Sequence, residues 1–136
     1  EFKEAVRYYN LKDYENAIKM LQNPESLKSG GSDGYLYLGQ SQMELGRNQE
    51  AADTFTKLLT YYPEHREVHY FLGKTLGAIG KLGLAHYHLG LYYWEKNDPQ
   101  TATFHLKKAQ ELETDEKQKA KIKATLEEIK KNRDSD

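Results

Sequence analysis

Small apolar residues recur along this chain at one fixed interval. Ala17, Ala51 and Ala85 are evenly spaced, and the step from Gly39 to Gly73 is the same. A period of about 34 residues is that of stacked helical pairs. Small side chains at such intervals are what paired helices need where their backbones touch. Around these positions the pattern predicts about eight helices, roughly over 1–11, 13–22, 33–46, 49–61, 65–79, 82–96, 99–112 and 115–132. Taken in pairs they give one domain over 1–136, with hairpins at about 1–31, 32–65, 66–98 and 99–133. Boundary chemistry supports several ends. Asp98 can cap a helix with Pro99 at its first position, Asn48 follows Gly46, and Thr114 precedes Asp115 and Glu116. Pro24 stops the second helix early, and the Ser- and Gly-rich stretch Ser26–Ser32 is expected to be a mobile loop. In the last helix Ile122, Leu126 and Ile129 form a narrow apolar stripe at i, i+4 and i+7 among lysines and glutamates. That is the pattern of a charged cap that hides the final hairpin's apolar side, the alternative being a patch for anionic lipid or nucleic acid.

Between residues 32 and 65, Tyr35, Leu38, Gly39, Ala51, Phe55 and Pro63 stand at the offsets of the tetratricopeptide consensus, with Gln42 in place of its usual Tyr. The chain therefore resembles the tetratricopeptide repeat family. The resemblance implies an all-α, right-handed solenoid of helical hairpins that works by binding another polypeptide and has no active site or cofactor. Gly39 and Ala51 would let the paired helices approach, Leu38 and Phe55 would fill the gap, and Pro63 would stop the second helix. Gly73 and Ala85 repeat the packing positions in the next hairpin. Leu89, Gly90, Tyr93, Ala102 and Ala109 also match the consensus, but in a frame shifted by half a repeat. The first frame, continuous from Ala17, is kept, because each helix of a solenoid packs on both neighbours and the sixth can resemble a first helix while serving as a second.

In that frame the family positions that line the concave groove fall on Phe2, Val6, Tyr9, Leu36, Gln40, Met43, Tyr70, Lys74, Phe104 and Lys108. The groove would be apolar with scattered polar groups and would suit an amphipathic helix or an extended segment. The donors of the repeats that clamp acidic chaperone termini are absent, since the equivalent places hold Phe2, Val6, Tyr37, Glu67 and Phe71. The run Gly80–Tyr93, with Asn97, Asp98, Ala102, Leu106 and Ala109, resembles more closely the tetratricopeptide domain that follows the catalytic domain in bacterial membrane-associated zinc metallopeptidases. This implies a substrate- or partner-holding domain, periplasmic or membrane-associated, with an upstream protease domain among its partners. The alternative is a stand-alone adaptor, which would fit the cytoplasm as well. The sequence has no His-Glu-x-x-His, so no proteolytic chemistry is expected in this segment.

Composition narrows the remaining classes. A formal net charge of -1 gives no basis for nucleic-acid binding, and no apolar run approaches a membrane span. The first residues carry no initiator Met and no signal-like stretch, so any targeting segment is expected upstream or removed. With no cysteine, disulfide and thiolate chemistry are excluded. His65 and His69, at i and i+4, would share one helical face and have zinc-like spacing, yet Arg66 stands where a zincin needs its Glu and no third ligand is near. Packed or solvent-facing histidines are the expected reading, with His86 in an interhelical hydrogen bond. Tyr8-Tyr9, Tyr61-Tyr62 and Tyr92-Tyr93-Trp94 are expected to be hairpin core, the alternative being binding-surface anchors; in each pair one ring should point into the hairpin and its neighbour, about 100° round the helix, toward a groove or solvent.

Overall fold

Four turns of one design set the architecture. The computed structural model describes residues 1–134, and these form nine helices: α1 (Phe2–Asn10), α2 (Tyr14–Leu21), α3 (Pro24–Ser29), α4 (Ser32–Glu44), α5 (Asn48–Tyr61), α6 (Val68–Ala78), α7 (Leu82–Glu95), α8 (Pro99–Leu112) and α9 (Glu116–Asp134). Ser135 and Asp136, which the sequence-based domain over 1–136 includes, lie outside the described residues. After α1 the chain turns through Lys12 in the left-handed region, φ 62°, and the Asp13 amide donates to the Tyr8 carbonyl at 2.8 Å. This six-to-one closure satisfies a carbonyl that the helix end would leave open. It recurs from Arg47 to Gln42, Lys81 to Leu76 and Asp98 to Tyr93, each at 2.9 Å, with Gly46, Gly80 and Asn97 in the left-handed position. The turns at Lys12, Gly46 and Gly80 are evenly spaced, and the one at Asn97 follows after half that interval.

The packing obeys the same arithmetic. A Cβ on Gly39 would strike the Phe55 ring, one on Gly73 would come within 2.8 Å of Leu89 Cγ, and one on Gly90 within 2.6 Å of Leu106 Cγ. The offset from glycine to large residue is the same in all three, from 39 to 55, 73 to 89 and 90 to 106. The α6–α7 joint is thus repeated as the α7–α8 joint, and α7 serves as the second helix of one pair and the first of the next. Leu38, Ala51, Phe55, Ala85, Ala102 and Ala109 are all buried, whereas Pro63 is exposed just beyond the end of α5.

The segment expected to be a mobile loop is instead largely α3, so the described residues form nine helices where eight were expected. Asn23 Oδ1 accepts from the amides of Glu25 at 2.9 Å and Ser26 at 3.4 Å, and Pro24 occupies the first turn, where its missing donor costs nothing. Ser26 is buried, and Leu27 packs against Ala5, Ile18, Leu21 and Leu38. This first cluster passes to a second around Phe55, Leu58, Val68 and Leu72, and a third joins Leu106 to Ile122 and Ile129. The last of these lies under α9, which packs on α8 with its lysines and glutamates outward.

Candidate functional site

Helices α1, α4 and α6 pack in succession, which makes them one wall of the array. Phe2 and Tyr9 on α1 both meet Tyr37 of α4, with ring centroids 6.0 and 5.0 Å apart. Leu36 and Met43 are half-buried against the Phe55 cluster, and Val6 and Gln40 are likewise half-buried. Tyr70 on α6 lies 5.2 Å from the Tyr92 ring, and Lys74 holds its ammonium 5.4 Å from the Tyr70 centroid. Phe104 and Lys108 are set apart. They are exposed on α8, whose packing partners are α7 and α9, and Lys108 faces Glu111 at 3.8 Å.

A second aromatic feature adjoins the N-terminal half. Tyr35, Tyr61 and Tyr62 line an open cleft of about 450 Å³ with Pro24, Leu27 and Lys28. Burial, with Tyr61 and Tyr62 close by, pushes the Tyr35 phenol above its usual range, so it remains a neutral hydrogen-bonding group. The expected one-in, one-out arrangement of tyrosine pairs does not hold. Tyr61 ends α5 and Tyr62 lies past it, so the helical step between them is broken and both are exposed, 62% and 39%. Tyr92 and Tyr93 are both half-buried because α7 is covered on two sides: one ring meets Tyr70 of α6 and the other His105 of α8. The formation of the cleft depends on α3, which the reading of residues 26–32 as a loop removed from view.

The histidines form bridges between helices. His69 of α6 and His88 of α7 approach with Nδ1 atoms 3.0 Å apart, and His86 of α7 and His105 of α8 do the same at 3.0 Å. In each bridge one neutral ring donates and the other accepts. Burial holds all four below the usual imidazole range, His88 to about 3, where His69 and Lys121 add to the effect. Lys108 acts in the same direction on His86, as does His86 on His105. On His69 the Glu95 carboxylate opposes the shift and His65 adds to it. The interhelical bond expected for His86 is therefore present, but the shared face expected for His65 and His69 is not. Helix α6 begins only at Val68, and His65 Nδ1 accepts from the Val68 amide at 3.2 Å, capping the helix from outside it. Among the described residues no group of three or more His, Cys, Asp or Glu side chains could hold a metal ion. No described helix is long and apolar enough to cross a membrane.

A stack of helical hairpins joined by glycine-to-bulky contacts, with half-buried aromatics along one wall, is the build of a repeat protein that binds polypeptides. Two tetratricopeptide repeat models match, one over residues 33–65, which is α4 with α5, and one over 83–116, which is α7 with α8. The chain carries tetratricopeptide repeats over these residues, the build of a protein-interaction module. The second match takes α7 as a first helix, half a repeat out of step with the frame that runs from Ala17, and makes α8, with Phe104 and Lys108, a second helix. Among solved structures the chain is similar to MamA 41-end from Desulfovibrio magneticus RS-1, at 21% identity over 97% of this chain and 82% of that one, with a TM-score of 0.55. It is equally similar to the MamA RS-1 ArsTM double mutant, at 21% identity over 98% and 94% of the two chains, with a TM-score of 0.55. At this identity the likeness is one of fold. No curated protein matches significantly.

Proposed function

We propose that the wall of α1, α4 and α6 binds an amphipathic helix or extended segment of a partner protein, with Tyr70 and Leu36 as its apolar anchors. The observation that carries this reading is the row of half-buried Phe2, Tyr9, Leu36, Met43 and Tyr70 across three adjoining helices, with Lys74 over the Tyr70 ring. Half-buried tyrosines on a rigid scaffold lose little conformational freedom on binding and keep a polar hydroxyl at the rim. Phe104 and Lys108 would extend the site only for a ligand that also reaches α8. The test is selection of peptides from a displayed library on the intact chain, followed by affinity measurements on Tyr70→Ala and Leu36→Ala. Each variant is expected to weaken the selected peptides by about tenfold at unchanged helicity, as hot-spot truncations do. Equal affinity in both variants would move the site off this wall.

A narrower reading makes the chain the partner-holding domain of a bacterial zinc metallopeptidase, periplasmic or membrane-associated, with its own protease domain as one partner. Its support is the run Gly80–Ala109 and its likeness to that group of domains. A gene that encodes a His-Glu-x-x-His helix and an export signal upstream of Glu1 would carry it; a gene with neither would leave the adaptor reading.

A further inference from the structure

At the far end of the array, α8 and α9 form an antiparallel pair with no further helix on its outer side among the described residues. Thr103, Lys107 and Gln110 on α8, at i, i+4 and i+7, face Lys123, Leu126, Lys130 and Arg133 on α9 across a cleft of about 440 Å³. Its floor is apolar: Ile129 is 4% exposed and Leu126 half-buried. Its rim carries four cations, Lys107, Lys123, Lys130 and Arg133, against the single carboxylate of Glu127. None of the four has an ion pair or hydrogen bond among the described residues. Elsewhere the exposed charges that join neighbouring helices are matched, as in Arg47 with Glu15 at 2.8 Å and Arg66 with Glu95 at 3.1 Å. Four cations without a partner thus share one cleft on a chain whose net charge is -1.

We propose that this cleft is a second docking site, distinct from the α1–α4–α6 wall, and that its occupant is an acidic amphipathic helix of a partner protein. The shape argues for a helix. Two antiparallel rows of side chains at i, i+3/i+4 and i+7 leave a groove that fits the ridge of a third helix, which is how each inner helix of the array is held. From Lys123 to Arg133 the groove runs about 15 Å, enough for roughly three turns of an occupant. The chemistry argues for acid at its edges and apolar anchors along its centre: Leu126 and Ile129 accept the anchors, and the cations flank them. A lipid surface fits less well, because the apolar residues are recessed and α9 presents no large apolar side chain beyond them. Nucleic acid would use the cations but has no need of the apolar floor.

The test is fluorescence anisotropy on the 136-residue chain with a labelled helix-forming peptide of about five turns, carrying a Leu stripe flanked by Glu, and with the same peptide carrying Lys in place of Glu. The Glu peptide is expected to bind, more weakly as salt rises, and the Lys peptide to bind at least tenfold more weakly. Replacing Lys123→Gln and Lys130→Gln together should weaken the Glu peptide by about tenfold, since each exposed ion pair supplies a fraction of a kcal/mol to about one. Lys57→Gln with Lys81→Gln, and Tyr70→Ala on the other wall, should leave that affinity unchanged. All these sites are exposed or half-buried, and circular dichroism checks that each variant is folded. Failure of the Glu peptide to bind, equal binding of the two peptides, or indifference to the double Lys variant would overturn the proposal. Binding of phosphatidylserine vesicles or duplex DNA in place of the peptide would overturn it too and assign the cations to that surface.

Discussion

Gln42 stands where the family has Tyr, and its place is explained by one bond: Thr54 Oγ1 of α5 donates to Gln42 Oε1 at 2.7 Å, with both residues buried. Thr54→Val keeps the shape and strands the amide, so it should cost about 1 to 3 kcal/mol in urea unfolding. Adding Gln42→Leu should recover most of that loss, because no unpaired polar atom then remains in the core. A second residue-scale prediction concerns Lys12, which holds by a lysine the left-handed position that Gly46 and Gly80 hold by glycine. A Cβ is disfavoured there, so Lys12→Gly should raise the unfolding free energy by about 0.5 to 1 kcal/mol. These contacts were only half legible in the sequence. The substitution at 42 was visible, but its partner was not, because Thr54 marks no packing position in the repeat and becomes a donor only when α4 and α5 are brought together.

At the scale of elements, the histidine bridges tie α6 to α7 and α7 to α8, and they set a pH dependence. All four imidazoles titrate below their ordinary value near 6.5 in the fold, so the unfolded chain takes up protons first as pH falls. Stability from these groups is fully present above that value and is lost as pH falls below it, for His88 down to about 3. The slope is at most about 1.4 kcal/mol per pH unit for each histidine. Thermal melts from neutral to mildly acidic pH should show a falling midpoint, and His88→Gln should flatten the fall; a flat profile in the parent chain would mean the bridges are solvated. Helices were legible wherever small residues repeat, since close approach dictates them. Helix α3 was not, although Asn23-Pro24 carries the same cap-and-proline signal that was read correctly at Asp98-Pro99. The glycines of that stretch fall past the last turn, at Gly30 and Gly31, and end the helix without interrupting it.

For the whole molecule, the sequence shows two repeat frames, of which the one continuous from Ala17 is the expected one. The structure contains both: the even spacing of turns holds through Gly80 and then halves at Asn97. The groove positions taken from the longer frame therefore meet on α1, α4 and α6 and leave Phe104 and Lys108 on α8 apart from them. Periodicity reports which residues make joints; it is silent on which side of a joint faces outward once the step halves. The halved step also bears on how such an array can be lengthened. A block of half a repeat, cut at one left-handed turn and inserted at the next, would bring its own glycine and its own bulky partner. The stack would then grow by one helix at a time. Each odd addition would deliver the chain's end to the opposite edge of the stack, so a domain fused there would change sides with no alteration in the repeats that carry it.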